Sequence, residues 1–337
     1  MSFFQKKIGS LLLLTAHLTM TGDEALNWTA AYTPALKHIW PESRTKVENA
    51  RIELGRLLYF DKRLSRDDSV SCNSCHDTLR YGVDGLRFSK GIDEHLTPRH
   101  SPSTFNAFLY SSQFWDTRAE TVEEQAKGPI LAKGEMGMPS EDAVVKKLMS
   151  IDGYESLFKQ AFPNDTPALT FDNLANAIGA YERVLISPGR FDQFVNGDVN
   201  ALTTEEKKGF ITFNTVGCMT CHYENALGGL NSQKLGLIEP WPNQKDQGRF
   251  ESTGQEHDRM VFKVCSLRNV AETAPYFHDG SVETLKEAIR LMAKHQLGIE
   301  LKENEVNEIE TFLKCLTGTV HHEAVKPPSS FPGMEAE

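Results

Sequence analysis

The sequence predicts an all-α protein of two domains, and three observations carry that expectation. Apolar residues recur at helical spacing: Leu174, Ile178, Tyr181 and Leu185 fall on one face, as do Leu285, Ile289 and Met292, and again Val306, Ile309, Leu313 and Leu316. Strand-like alternation is hard to find. One short cysteine pattern occurs twice, once in each half of the 337-residue chain.

Composition narrows the class. Hydrophobic residues make up 39% and charged residues 24% of the chain, enough for buried cores and without a disorder signature. A formal net charge of −10 argues against a nucleic-acid-binding surface, so no nucleic-acid partner is expected. At the amino terminus Lys6 and Lys7 precede an apolar run from Ile8 to Leu14 and then small and polar residues. Residues 1–25 therefore read as a signal peptide, and the run is well short of the roughly 20 residues that span a bilayer. The mature protein is expected to be exported to the periplasm. Removal of the signal takes away Lys6, Lys7, Asp23 and Glu24, which leaves the net charge of −10 unchanged.

Residues 26–200 are expected to form the first domain and 201–320 the second. Pro188-Gly189 and Asn196-Gly197-Asp198 mark the boundary, and Thr203-Thr204-Glu205-Glu206 has the form of a capped helix start. The stretch 224–258, rich in Gly, Asn, Gln and Pro, reads as a long loop. The tail 321–337 shows no periodicity.

The six cysteines are too few for a disulfide scaffold in a chain of this length and have to be read by spacing. Cys72-Asn73-Ser74-Cys75-His76 and Cys218-Met219-Thr220-Cys221-His222 are both C-x-x-C-H, the attachment signal for c-type haem. Two thiols one tight turn apart can add to the two vinyl groups of one porphyrin edge, and the adjacent histidine then sits under the iron as its proximal ligand. A redox C-x-x-C has no need of histidine at the next position twice. A zinc site would have to bring the two pairs together. Two c-type haems, one per cytochrome c-like domain, are the expected cofactors. Gly55 and Phe60 before the first motif and Gly209 and Phe213 before the second give the domains a loose repeat.

At this point the sequence closely resembles the bacterial dihaem cytochrome c peroxidases and their MauG-like relatives. The resemblance runs in order through GRLLYFDKRLS (55–65), GVDGL (82–86), PRHSPSTFNA (98–107), QFWDTRAETVEEQAKGP (113–129), GEMG (134–137), SLRNVAETAPYFHDGSVETLKEAI (266–289) and MAKHQLG (292–298). It implies two α-helical cytochrome c domains whose haems face a shared interface. The implied activity is two-electron reduction of hydrogen peroxide to water, with electrons from a small cytochrome c or cupredoxin, in a homodimer. His76 would hold the peroxide-reacting iron and His222 the electron-accepting one, with Met292 as distal ligand of the second. On periodicity alone Met292 would be core. Trp115 matches the tryptophan between the haems, Gln125 the residue that orients peroxide, and Glu135 the general acid–base.

Two departures from the family pattern bear on function. Where many members place a removable histidine over the first iron, this chain has Ile92, with His95 three residues on. Either His95 is a displaced distal ligand or the iron stays open. His100 replaces the asparagine that helps bind an interdomain calcium; the matching carbonyls would be those of Thr273 and Pro275, and imidazole suits so hard an ion poorly. Cys265 and Cys315 could form a disulfide in an oxidising compartment or remain buried thiols. The resemblance leaves two alternatives to peroxide reduction: MauG-like oxidation of a partner protein's aromatic residue, against which Met292 in place of tyrosine argues, and a non-catalytic dihaem electron-transfer cytochrome.

Overall fold

The structure is a computed structural model that describes Ala25, residues 29–32 and residues 44–334; apart from Ala25, the expected signal peptide lies outside the described residues. Helices dominate, and their ends follow capping chemistry. Helix α1 (Lys46–Phe60) opens on a Thr45–Glu48 capping box. Thr121 caps α2 (Val122–Leu131), Ser140 caps α3 (Glu141–Met149), and α4 spans Tyr154–Ala161. Thr170 caps α5 (Phe171–Glu182), and α6 spans Arg190–Val195. Helix α7 (Thr204–Val216) starts on the expected Thr203–Glu206 box and stops at Gly217, whose φ of 109° ends it. Thr284 caps α8 (Leu285–Met292), which runs into a π-helical turn at Ala293–Leu297, and α9 covers Glu303–Lys314.

The exception to an all-α fold begins inside the expected 224–258 loop and ends just beyond it. There β1 (Ser232–Lys234) pairs antiparallel with β2 (Val261–Lys263) in the one sheet among the described residues. Its three-residue strands were too short to leave an alternation pattern in the sequence.

Two helix crossings organise two cores. Helices α1 and α5 meet at Gly55, where a Cβ would lie 1.9 Å from the Ala177 carbonyl oxygen. Helices α7 and α9 meet at Gly209, where it would lie 2.1 Å from the Glu308 oxygen. The glycines of the loose sequence repeat are thus the points where two backbones touch. Around the first crossing cluster Leu54, Leu58, Leu174, Ile178 and Tyr181; around the second cluster Phe191, Phe210, Phe213, Ile309 and Phe312.

The chain ends cross over. Tyr32, near the amino terminus, packs on Phe191 and Phe210 of the second core and donates to Asn214 Oδ1 at 3.0 Å. At the other end Ala324 and Val325 join the first core, where Tyr181 donates to the Ala324 carbonyl at 2.7 Å and Thr78 to that of Val325 at 2.8 Å. Between the cores lies a knot of fully buried polar groups. Asn106 and Asn269 both donate to Ser187 Oγ, at 3.0 and 2.7 Å, and Gly318 N–H donates to Asn269 Oδ1 at 2.9 Å.

Replacing Gly209 by Ala should force α7 and α9 apart at a cost of about 3 kcal/mol, the scale of overpacking a close-packed contact. A lowered thermal midpoint by circular dichroism checks this; an unchanged midpoint would mean that the two helices part freely.

Candidate active site

Each C-x-x-C-H motif lines its own cavity. Cys72, Cys75 and His76 line one of about 720 Å³, and Cys218, Cys221 and His222 line another of about 230 Å³. The two histidines are held alike. His76 Nδ1 meets the Gly82 carbonyl at 3.3 Å and His222 Nδ1 that of Leu227 at 3.0 Å. With Nδ1 carrying the proton, Nε2 is left as the ligating lone pair. Burial lowers the pKa of both rings, which favours the neutral form that binds a metal. Burial also pushes all four motif thiols up, opposite to the depressed pKa of a redox-active pair. The motifs lie in separate cavities, and no cluster of three or more His, Cys, Asp or Glu suited to a metal ion occurs among the described residues. The zinc reading therefore has no support, and the donor sets fit covalently attached haem.

The other expected residues divide between the cavities. Gln125 on α2 and Glu135 on the turn after it line the first. Burial raises the pKa of the Glu135 carboxyl, with Arg118 opposing. Met292, at the end of α8, lines the second cavity with His222. Trp115 lines both, and its indole N–H donates to the His100 carbonyl at 2.8 Å.

His95 is placed elsewhere. Gly91 N–H donates to the His95 carbonyl and Ile92 N–H to that of Glu135, both at 2.8 Å, so the loop closes with Ile92 buried. The His95 side chain is exposed, sits against Gly134 and is absent from the cavity lining. His100 is buried with its ring Nδ1 on the Leu86 carbonyl at 2.9 Å. Cys265 and Cys315 are free thiols, Cys265 in the second cavity wall and Cys315 in the second core.

A second internal repeat relates the cavities. FWDTRAETVEEQAKGP (114–129) and FHDGSVETLKEAIRLM (277–292) align without a gap. Each copy has a phenylalanine at positive φ (Phe114 64°, Phe277 70°), a matching bridge (Gln113 to Ala119, Tyr276 to Val282) and a capping threonine. Backbone strain of this kind costs on the order of 1–3 kcal/mol per residue and collects at functional sites. Trp115 thus corresponds to His278, Gln125 to Ala288 and Pro129 to Met292. Where the second copy places a thioether, the first has a ring that cannot ligate; where the second has a methyl group, the first has an amide. Comparing the two stretches would have exposed His278, which the sequence reading missed.

Glu182 was also missed. It lies on α5 one turn after Ile178, only 4% exposed, in the wall of the first cavity. Its signal was a carboxylate on an otherwise apolar helix face.

Two C-x-x-C-H cavities on a helical scaffold, with Trp115 lining both, have the residues a two-haem protein would need. Comparison with known proteins agrees. Residues 49–200 match the family model described as Di-haem cytochrome c peroxidase. A cytochrome c551 peroxidase of Nitrosomonas europaea is 40% identical, with 90% of this chain and 91% of the relative covered. One from Pseudomonas aeruginosa is 39% identical, covering 92% and 91%. Among solved structures, a MauG-like protein associated with microbial copper homeostasis aligns with a TM-score of 0.71 at 28% identity, covering 87% of this chain and 98% of its own. The chain belongs to the di-haem cytochrome c peroxidase family.

Burial and the nearby Glu123 raise the Glu182 pKa from its ordinary 4.5 to about 8. Folding therefore favours the protonated form, and stability present below pH 4.5 should be lost as pH rises through about 8. Glu182→Gln should flatten that fall in urea titrations across this range; an identical pH dependence in the variant would clear Glu182 of the effect.

Proposed function

We propose that this chain is an exported, periplasmic peroxidase that reduces hydrogen peroxide to water with electrons delivered through the second haem by a small cytochrome c or cupredoxin. As a family member it is an oxidoreductase, and the observation that carries the reading is the division of residues. Gln125 and Glu135 share a cavity with His76, Met292 shares the other with His222, and Trp115 reaches both. In this reading residues 26–200 carry the first haem and 201–320 the second, each chain end strapped to the opposite core. The homodimer is carried over from the family resemblance. The described helices include none long and apolar enough to cross a membrane, which agrees with an exported protein.

When bound, the two haems, held by Cys72, Cys75 and His76 and by Cys218, Cys221 and His222, would supply one-electron redox chemistry. The protein supplies position and protons. The Gln125 amide orients peroxide. The Glu135 carboxylate takes the proton from one peroxide oxygen and returns it to the other, which leaves as water when the O–O bond breaks. With two electrons and two protons overall, peroxide becomes two waters. A thioether at Met292 raises the potential of the second centre, as an electron-accepting site requires. Trp115 provides the aromatic path between the centres. The placement of His95 away from the first cavity supports an enzyme active without prior reduction. It equally favours the second reading, oxidation of a partner's aromatic side chain, against which Met292 argues.

Glu135→Gln should lower the turnover number for peroxide by about 10²–10⁴ while both haems are retained. Because the base must be ionised and its pKa is raised, the parent enzyme should lose activity as pH falls through that value, and the variant should lack this limb. A pure electron-transfer cytochrome would be indifferent to the substitution. Fully oxidised enzyme and enzyme reduced by one electron should turn over peroxide at the same initial rate. A purely low-spin EPR signal from the oxidised first haem would sink the open-site reading.

A further inference from the structure

Among the described residues, Trp115 and Lys263 are the two that line both cavities. Strand β2 puts them side by side, because Lys263 N–H donates to the Trp115 carbonyl at 2.8 Å. Lys263 is only 6% exposed, with Nζ 4.7 Å from the centre of the Tyr110 ring. Its ammonium has no ion-pair partner among the described residues. The nearby carboxylate, Asp116, is already held by Arg99 at 2.7 Å and Arg118 at 2.8 Å. Desolvation pulls the pKa of Lys263 down to about 8. A buried cation without an anion costs several kcal/mol, which a compensating carboxylate would offset.

A second group points the same way. His278 is 2% exposed, lines the second cavity and has its Nε2 buried without a hydrogen-bond partner among the described residues. Two nitrogen groups in one cavity wall, one cationic and one polar, both lack an acceptor. The group these cavities fit brings its own acceptors, since every haem carries two propionates.

We propose that Lys263 is the counter-ion of a propionate of the second haem, with His278 as its hydrogen-bonding companion, so that a fixed positive charge stands between the two redox centres. The proposal rests on the two-haem reading. Lys263 acts as a positioning and tuning residue: its charge favours the reduced form of the second haem most and reaches the first, whose cavity it also lines.

The test is a spectroelectrochemical titration of the holoprotein, preceded by a pyridine haemochrome count. Fewer than two haems in the unaltered protein would overturn the two-haem reading and leave Lys263 out of account. With two bound, Lys263→Met should lower the reduced-to-oxidised ratio of the second haem about tenfold at fixed potential, a shift of about 59 mV for one electron. The first haem should shift less, and Lys263→Arg should restore most of the difference. Unchanged potentials in a Lys263→Met protein carrying both haems would overturn the proposal. If that variant fails to take up haem, resonance Raman propionate-bending bands of the parent and Lys263→Arg proteins decide. A band that moves between Lys and Arg supports the contact, and identical bands overturn it.

Discussion

The buried knot at Ser187 holds the two halves in register. Asn106 comes from the segment beside the first cavity and Asn269 from that beside the second; both converge on Ser187, and Gly318, from the chain after α9, joins through Asn269. Both asparagines take positive φ, 62° and 58°, a conformation that asparagine tolerates and most side chains resist. Inside a protein such groups are costly when unpaired, so the network tolerates one arrangement of the halves. Trp115 and Lys263 meet at the seam because the elements carrying them are anchored there. Without a fixed register, an aromatic path between two redox centres would have no defined length.

The two cavities are built from repeated parts that differ at a few side chains. The two copies of the strained F-x-D turn and its capped helix keep their backbone features, so differences of function fall on a few side chains. Pro129 against Met292 sets a ring that cannot ligate in the first cavity where the second has a thioether. Gln125 against Ala288 separates a polar pocket from a greasy one. One scaffold thus yields two cavities of different chemistry.

Much of this was legible in the sequence. The haem motifs announce themselves because the chemistry fixes their spacing. The helices α5, α8 and α9 follow from apolar periodicity, and the start of α7 from its capping box. Less visible were residues whose meaning depends on distant partners. Lys263 sits in a three-residue strand whose neighbours give no hint that its ammonium will be buried between cavities. Glu182 shares a helix face with core residues, and only the cavity shows why a carboxylate belongs there. His95 invited ligation by its nearness in sequence to the first cavity, but the closed Gly91–His95 turn directs Ile92 inward instead. The sheet was missed because its hydrogen bonds link residues about 30 apart, beyond the reach of local pattern.

The crossed chain ends bear on the order of assembly. A chain emerging from its amino terminus presents the first C-x-x-C-H long before Ala324 and Val325 exist to close the core beside it. Until those last residues arrive, Tyr181 and Thr78 lack their carbonyl partners and the first domain stays unsealed. Ala324 and Val325 thus act as a latch on the first core, whose packing is completed only after both cavity-bearing segments have been made.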